Sequence, residues 1–520
     1  MKKYLLIISL GLFLTNAQSQ EVSEALRYAQ TNLNGTARFR AMSGAFGALG
    51  GDLSSISVNP AGSVIFANNI VAGSLSNFVV RNNTDYLGTK NTEIKNSFDL
   101  NQVGGAFIFT NDEKRSDWKK FALALNYENA NDFTNSISSS GTNFNSIDNY
   151  FLSYANANNG VPLSFITTNP NETIGQLYNY LGTNLPLNSA PKISSFQAQQ
   201  ALLGFQGYVI DNVLSTPTRN VYTTNVRYGG NYKQENTFVT RGYNGKLSFN
   251  AAAQYQNWLS IGLNLNSHFN DYRQTTSFYE SNSNTLDSNL RVKNVRFNNE
   301  LHTFGTGFSL QIGAIAKINK EFRAGLSYES PTWYELNDEL TQSLTATSSS
   351  TTGVLAPDVV NPNVTNVYEP YKLQTPSKYT GSLAYVFGKK GILSVDYAVK
   401  DYSRTQYKPL NEFERVNSQI SKLLTTSSEL RLGAEYRIKL LSLRAGYRAE
   451  QSPYKDKKIM GDLFGFSGGF GYDFGGTKLD FSYAYAKRNS QQQFFSQGFT
   501  DYSNVNAITN NFTVTLGFEL

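Results

Sequence analysis

Cysteine is absent from the 520 residues, and histidine occurs only twice, at His268 and His302. Without cysteine the chain has no disulfide framework and no thiol chemistry, and a structural zinc site would lack its commonest ligands. A haem group would need an axial His, Cys, Met or Tyr, so haem is disfavoured, although tyrosine is abundant. The sequence therefore predicts no metal and no cofactor.

Signs of catalysis and of nucleic-acid binding are also scarce. A serine hydrolase would need a nucleophile, a nearby base and an orienting group, and neither histidine has a sequence context that singles out a nucleophile. The net charge of +6 is spread along the chain, without the basic stripe that nucleic acid requires. We expect no catalytic residue, no enzyme and no nucleic-acid partner.

Long apolar runs are missing after the first segment. Lys2 and Lys3 precede the apolar run Tyr4–Leu14, and Ala17-Gln18-Ser19 places small residues before a cut at Gln20. This pattern predicts a secretory signal peptide over residues 1–19, with a retained anchor as the alternative. No later run approaches the roughly 18–20 residues that a transmembrane helix needs.

Aromatic residues, in contrast, make up 13% of the chain, and the mean hydropathy is −0.37. Any membrane contact must therefore come from alternate residues, as in β-barrels. Leu430–Ile438 and Leu441–Glu450 alternate between apolar and polar residues and are joined only by Lys439 and Leu440. Their apolar face would be the interior of a soluble sandwich, or the lipid-facing side of a barrel.

The lengths of the connections favour the barrel. Tight links lie around Asn111–Lys120, Gln256–Trp258, Asn319–Lys320, Gly388–Gly391, Lys439–Leu440 and Gly475–Thr477. They alternate with long polar stretches at Arg81–Asn96, about Asn131–Tyr243, Ser281–Leu290, Glu335–Pro370, Lys408–Ser427, Gln451–Gly461 and Asn489–Asn506. Short periplasmic turns and long outer loops are typical of outer-membrane barrels. The sequence predicts an all-β transmembrane antiparallel β-barrel of about 14 strands, in the outer membrane of a Gram-negative bacterium.

The N-terminal part of the mature chain differs from the rest. Val22, Ala25, Leu26 and Ala29 have helical spacing, and the segment Gly35–Gly62 that follows is rich in glycine and ends in Asn59-Pro60-Ala61-Gly62. Such a segment can pack compactly where a regular element would not fit. We expect a hatch (plug) over residues 20–66 inside a barrel formed by residues 67–520, with hatch residues Gly44, Gly47, Gly50, Gly51, Asn59, Pro60, Ala61 and Gly62.

The long stretch around 131–243 contains helical patterns and is expected to be an extracellular loop. Apolar residues recur with helical spacing at Ile147/Tyr150/Phe151/Tyr154, Ile174/Leu177/Tyr178/Leu181 and Ala198/Ala201/Leu202/Phe205, and a fourth set lies at Phe413/Val416/Ile420/Leu423. Two interpretations stay open for the first two sets. Tyr150, Phe151, Tyr154, Leu177, Tyr178 and Leu181 either capture a hydrophobic ligand or pack on one another as the core of a lid.

At this point the sequence resembles a known family. Gly35–Gly62, with its Asn59-Pro60-Ala61 triplet, resembles the N-terminal hatch of the FadL/TodX family, the outer-membrane transporters of long-chain fatty acids and other hydrophobic compounds. Leu373–Ser403 and Glu429–Asp456 resemble its paired strands, and the Asn- and Tyr-rich composition is similar to that of Bacteroidetes-type members. The final strand resembles the terminal signal of outer-membrane proteins, although Leu520 stands where Phe is more usual.

The resemblance implies passive outer-membrane transport of hydrophobic compounds, chiefly long-chain fatty acids, which are captured at the extracellular loops, held in an apolar pocket above the hatch and released laterally.

 No energy source and no cofactor is involved. The partners expected are a hydrophobic small molecule, a fatty acid or hydrocarbon, and outer-membrane lipid, with the protein itself a monomer. The alternative is a general porin-like or structural outer-membrane barrel without a dedicated hydrophobic ligand.

The arginines of the last third leave two interpretations open. Arg431, Arg437, Arg444 and Arg448 fall on the polar face of the strands, which would line the lumen. Arg444 and Arg448 are the residues that we expect to meet a substrate carboxylate through charge-assisted hydrogen bonds. Alternatively, these arginines form a ladder of salt bridges with Glu435 and Glu450 that supports the barrel interior.

Overall fold

A computed structural model describes residues 21–113, 115–183, 193–286 and 288–520. The predicted signal peptide, Met1–Ser19, lies outside the described residues. Within these ranges, no helix has the length and apolar character needed to cross a membrane.

The helices lie in the N-terminal segment and in the long connections between strands. They are α1 (Val22–Ala29), α2 (Ala37–Ala41), α3 (Asp148–Ala155), α4 (Leu163–Ile166), α5 (Ile174–Thr183), α6 (Ser195–Gln206) and α7 (Glu414–Leu423). Short 3₁₀ helices span Leu53–Ser57, Pro60–Ile65, Ala157–Asn159 and Tyr402–Arg404. Each helical pattern singled out in the sequence is thereby confirmed.

The strands account for most of the remaining chain. The first group is β1 (Ile70–Tyr86), β2 (Thr89–Thr110), β3 (Trp118–Asp132), β4 (Asn135–Asn143), β5 (Ile210–Ser215), β6 (Asn220–Thr224), β7 (Tyr232–Tyr255), β8 (Leu259–Asn282) and β9 (Arg291–Lys317). The second is β10 (Phe322–Glu329), β11 (Trp333–Ser350), β12 (Gly353–Val354), β13 (Asp358–Val360), β14 (Thr365–Val367), β15 (Tyr371–Gln374) and β16 (Lys378–Phe387). The last is β17 (Gly391–Asp401), β18 (Gln406–Lys408), β19 (Thr426–Ile438), β20 (Leu441–Glu450), β21 (Met460–Asp473), β22 (Thr477–Gln493) and β23 (Tyr502–Glu519).

Antiparallel pairing closes the main sheet into a barrel. The described strands pair in the order β1, β2, β3, β7, β8, β9, β10, β16, β17, β19, β20, β21, β22 and β23, and β23 pairs with β1 from Ile70↔Glu519 to Asp85↔Asn504. Closure leaves the wall with fourteen strands, the number expected from the alternation of short and long connections. The last strand is the one that closes the barrel.

The two faces of the wall follow the period of two in the sequence. Leu432, Leu443 and Tyr436 are exposed on the outside, whereas Glu435 is buried on the lumen side of the same strand. Successive residues of a strand face opposite sides, so an apolar outer band and a polar interior arise together. The fold class predicted from the sequence, a transmembrane antiparallel β-barrel, is confirmed.

Several polar stretches expected to be loops are instead strands that continue past the apolar band. β4 and β7 pair as far as Asn143↔Tyr232, so the helical connection spans 144–231 rather than 131–243. β8 and β9 likewise run over 24 and 27 residues. Their outer faces are polar over these extensions, and the apolar alternation used to predict strands is therefore absent.

The wall is incomplete between β2 and β3. β2 pairs with β3 only from Gln102↔Glu128 to Thr110↔Lys120, and its upper part, Thr89–Asn101, has no ladder partner on that side. The chain after Glu128 bends into the lumen, where β4 lies behind β1: Asn82 Nδ2 donates to Ser136 O at 2.7 Å. The bend leaves a gap in the wall that is bridged by side chains alone, among them Ser97 and Asp132.

Candidate functional site in the upper lumen

The glycine-rich body of the hatch, Gly35–Ile65, fills the lower lumen. Gly44, Gly50 and Gly51 adopt positive φ values of 76°, 63° and 68°, which side chains rarely tolerate. At Gly50 a Cβ atom would also lie 2.8 Å from the Cα of Gly62. These positions explain the glycine content, because the chain crosses itself too closely for side chains.

Asn59, Pro60 and Ala61 hold this body against the wall. The Asn59 side chain caps the 3₁₀ helix by accepting from Ala61 N at 3.2 Å, and it donates to Ala314 O of β9 at 2.9 Å and to Gly47 O at 2.8 Å. One side chain thus joins a helix start, the opposite turn of the hatch and the barrel. All eight predicted hatch residues lie in this one body.

Buried polar groups on other strands tie the hatch body down further. The Asp396 carboxylate accepts the N–H groups of Phe46 and Gly47, each at 3.0 Å. Ala37 N donates to Thr515 Oγ1 at 2.7 Å on β23. The body is therefore bonded to strands on several sides of the barrel.

The arginines of the last third form a ladder of ion pairs. Arg444 bonds Glu435 at 2.7 Å and Asp480 at 2.5 Å, and Arg38 of the hatch reaches Glu435 at 2.8 Å. Arg448 pairs with Glu450 at 3.1 Å. The salt-bridge interpretation therefore describes their contacts in this structure, and contact of Arg444 and Arg448 with a carboxylate ligand stays a prediction.

Above the hatch body, α1 lies in the lumen with its apolar side on the wall. Its buried residues Val22, Ala25 and Leu26 belong to one apolar cluster with residues of β11, β15, β18 and α7. The covered surface is largely aromatic and comprises Tyr334, Leu336, Tyr371, Leu373, Tyr407, Phe413, Val416 and Ile420. We call it the covered apolar surface.

Few polar bonds hold α1. Lys400 Nζ donates to Ala29 O at 2.6 Å, at the C-terminal end of the helix, where a positive charge is favourable. Near the other end, Tyr407 Oη donates to Glu21 O at 3.1 Å. Burial raises the pKa of the Glu24 carboxyl to about 8, with Asp338 raising it further and Arg27 opposing. The helix therefore depends mainly on apolar contact.

A charged cavity of about 80 Å³ adjoins the end of α1. Gln30 and Asn32 line one side, and the wall contributes a mixed set of charges: Lys378, Lys400, Arg448, Arg488, Glu329, Glu429 and Glu450. Tyr402 lines this charged chamber and also packs against the covered apolar surface. The upper lumen thus places an ionic region directly beside an aromatic one.

Arg40 of the hatch is a buried cation close to this chamber. Its side chain is 2% exposed, Nη1 donates to Asn34 Oδ1 at 3.3 Å, and Nε has no hydrogen-bond partner. Within the described ranges no carboxylate lies within 4 Å of it. Burial and the charge of Arg448 lower the pKa of Arg40 to about 9. It is a strong hydrogen-bond donor with unused capacity.

The long connection folds into a lid. Tyr150, Phe151, Leu177, Tyr178 and Leu181 are buried in its core, and Tyr154 packs against them. Tyr178 Oη bonds Gln342 Oε1 of β11 at 2.8 Å, which fixes the lid to the lumen side of the wall. Packing within a lid is the second of the two interpretations given above, and ligand capture by these residues stays a prediction.

The two histidines lie on neighbouring strands with different partners. His268 Nε2 is 3.0 Å from Ser309 Oγ inside the lumen, and its other ring nitrogen lies 3.4 Å from Tyr334 Oη rather than near a carboxylate. His302 contacts Asp271 at 3.3 Å and Glu339 at 3.2 Å. Among the described residues, no group of acidic, histidine or cysteine side chains has the arrangement of a metal site.

Sequence reasoning missed most of the covered apolar surface. Tyr334, Tyr371 and Tyr407 directly adjoin the predicted polar loops Glu335–Pro370 and Lys408–Ser427, and they come together only because β11, β15 and β18 pair. Lys400 and Arg40 gave no signal in the sequence. The helical spacing of Phe413, Val416 and Ile420 was the one available pointer.

No family model and no curated protein matches the sequence. Among solved structures, a Pseudomonas aeruginosa FadL homologue is 11% identical, with 94% of this chain and 99% of that chain covered and a TM-score of 0.48. The P. putida toluene transporter TodX is 13% identical, with the same coverage and a TM-score of 0.48. The Ralstonia pickettii toluene transporter TbuX is 13% identical over 94% and 99%, with a TM-score of 0.46. The chain is similar to these structures over nearly its whole length, and it forms a closed fourteen-stranded barrel with its N-terminal segment in the lumen.

Proposed function

We propose that this protein carries hydrophobic compounds passively across the outer membrane of a Gram-negative bacterium. The observation that supports this most directly is the covered apolar surface, an aromatic area inside a barrel whose lower lumen is filled by the hatch body. A water-filled pore for polar solutes does not require an apolar surface in its lumen. A hydrocarbon chain placed on it would gain about 0.8 kcal/mol per buried CH₂.

In this proposal α1 covers the ligand site and leaves when a ligand binds. The helix is held by apolar contacts and few polar bonds, so a bound hydrocarbon would replace the apolar contacts of its side chains with similar apolar contacts of its own. The hatch body, which is bonded to the wall by Asp396 and Asn59, stays in place. The lid core with Tyr150 and Tyr178 closes the site from outside and would contact the ligand on entry.

Long-chain fatty acids are the compounds that this site favours. The charged chamber beside the covered apolar surface offers Lys400 and Arg448 to a carboxylate, while the tail lies on the aromatic side chains. Arg40 adds a buried guanidinium without an acidic partner. Charge-assisted hydrogen bonds of this kind are about twice as strong as neutral ones.

For release, the gap between β2 and β3 is the proposed exit into the membrane. The segment between α1 and the hatch body runs along it: Asn32 N donates to Ala130 O at 3.1 Å, and Asn131 Nδ2 donates to Gln30 O at 2.8 Å. Movement of α1 would pull on these bonds and open the gap. An apolar solute would then pass sideways without crossing the hatch.

The test is binding of palmitate and of hexadecane to detergent-folded protein, comparing the mature chain with a variant that lacks Glu21–Gln30. We expect binding by the mature chain and tighter binding by the variant. Lys400→Met with Arg448→Met should weaken palmitate and leave hexadecane unchanged. If neither compound binds while small ions pass through both proteins, the barrel is a general porin or a structural protein.

A further inference from the structure

The outer surface of the barrel carries an apolar groove with a volume of about 730 Å³, unconnected with the ligand site in the lumen. It crosses five neighbouring strands, β7, β8, β9, β10 and β16, and is bordered by β3. Its volume lies within the roughly 300–1,000 Å³ of small-molecule pockets.

Small residues in register produce the groove. Strand pairing sets Ala253, Ile261, Ala314, Leu326 and Gly381 in one row around the outside. A Cβ atom at Gly381 would meet nothing within 4 Å, so the row opens directly onto the surroundings. The sides are formed by larger residues, Phe121, Leu263, Ile312, Tyr328 and Tyr379.

The floor of the groove is a single layer of backbone. On the lumen side, a Cβ atom at Gly262 would lie 2.4 Å from the carbonyl carbon of Pro60, and one at Gly313 would lie 2.1 Å from Asn59 Oδ1. The Asn-Pro turn of the hatch therefore supports the floor from behind. The hatch therefore contacts the wall directly where Gly262 and Gly313 have no side chain.

One end of the groove lies near the short turns and their lysines. Ala314 is three residues before the end of β9, and the turn that follows carries the exposed Lys320. The next turn, between β16 and β17, carries Lys389 and Lys390, and Val386 N bonds Glu321 O between the two turns. Three lysines against one glutamate make this edge cationic, with aromatic Phe322 and Trp258 exposed beside it.

We propose that this groove binds an acyl chain of a phospholipid of the periplasmic leaflet, with its phosphate group at Lys320, Lys389 and Lys390. Within a bilayer only hydrocarbon can fill an apolar groove, and an empty groove would forfeit contacts along its whole lining. Shape selects a chain that lies lengthwise between the aromatic sides. Basic residues next to an apolar seat are the usual recognition of anionic lipid.

This inference requires that the barrel spans a bilayer, and it is independent of what the lumen carries. The test is native mass spectrometry of protein extracted from membranes in mild detergent. Wild type should retain a diacyl phospholipid, and Ala253→Leu with Ala314→Leu, which fills the groove, should lose most of it. Ala445→Leu is the matched control, since Ala445 is an exposed outward alanine on β20 away from the groove.

Folding of each variant is checked by its heat-dependent electrophoretic mobility, so that loss of lipid is not loss of the barrel. Equal retention by wild type and the filled variant, or retention of free fatty acid in place of a diacyl lipid, would overturn the assignment. Lys320→Gln with Lys389→Gln and Lys390→Gln should lose the preference for anionic over zwitterionic lipid. An unchanged preference would refute the role of the lysines.

Discussion

The hatch body and α1 both lie in the lumen, yet the wall holds them in different ways. The body is fixed by buried hydrogen bonds to β9, β17 and β23 and by contacts so close that only glycine fits. α1 is held by apolar contact, with Lys400 supplying one of its few polar bonds. A hydrocarbon ligand cannot replace the hydrogen bonds that hold the body, because it has no polar groups. It can replace the apolar contacts that hold α1. The difference separates a permanent plug from a removable cover.

The largest effect is expected from removing the Asp396 carboxylate. Asp396→Ala leaves the N–H groups of Phe46 and Gly47 without an acceptor, which should lower the free energy of unfolding by about 2–4 kcal/mol at ~1–2 kcal/mol each. A loosened body should also let small ions through. Urea unfolding and single-channel conductance measure both effects.

Asp396→Asn, which keeps an oxygen that can accept from both N–H groups, is the control and should lose less stability than Asp396→Ala. If Asp396→Ala conducts no more than wild type and unfolds at the same urea concentration, the body is not held in the way described.

The close contact of hatch and wall is tested by a single methyl group. In Gly313→Ala the new Cβ would meet Asn59 Oδ1 at 2.1 Å, and we expect a loss of about 1–3 kcal/mol, as for other overpacked interiors. Gly381→Ala adds the same atom to a strand where nothing lies within 4 Å. Equal unfolding midpoints for the two variants would contradict the close fit.

The attachment of α1 is tested by shortening one apolar side chain. Leu26→Ala should weaken docking of the helix, and each 1.4 kcal/mol lost there should tighten palmitate binding about tenfold, because the ligand no longer displaces a well-seated helix. Ion conductance should not change. Ser23→Ala on the exposed side of α1 is the control. Weaker ligand binding in Leu26→Ala would mean that α1 forms part of the site instead of covering it.

A smaller, graded effect is expected from pH. The docked helix holds the pKa of Glu24 at about 8 against an ordinary value of 4.5. Docking therefore favours the protonated form: this contribution is complete below about pH 4.5 and is lost as the pH rises towards 8. A cysteine at Val22→Cys, unique in this chain, should become more accessible over that range, measured as its rate with a thiol reagent divided by the rate of a free thiol at the same pH, which removes the ionisation of the thiol itself. Glu24→Gln, which still caps the helix, should make this ratio independent of pH.

The barrel could be predicted from the sequence because lipid imposes a simple rule on each strand. The alternation of apolar and polar residues in Leu430–Ile438 and the short turn at Lys439 are both typical of a strand that crosses a bilayer. Beyond it the rule no longer applies, so the sequence predicts a loop over Glu335–Pro370, although β11 extends into it as far as Ser350. The hatch body could be located by its glycines, but its wall contacts, such as Asn59 with Ala314, join residues more than 250 positions apart.

The ligand surface was hidden for the same reason. Tyr334, Tyr371 and Tyr407 come from three separated segments, and no local pattern distinguishes them from other tyrosines. Arg444 stood out as a charge on an alternating strand, yet its partner Asp480 lies on β22, and no local pattern connects the two residues. The local periodicity of a strand predicts which of its residues share a face. Which residues form the ligand site depends on how strands that are distant in the sequence pair.

The short connection between α1 and the hatch body limits what a detached helix can do. Gln30–Asn34 spans at most about 17 Å when fully extended, at ~3.4 Å per residue. A released α1 therefore stays within reach of its seat, at an effective concentration in the millimolar range typical of short tethers. It competes with the ligand for the covered apolar surface and stays attached to the barrel throughout. The occupancy of the lumen then follows the supply of ligand outside, and the cover returns by itself when that supply ends.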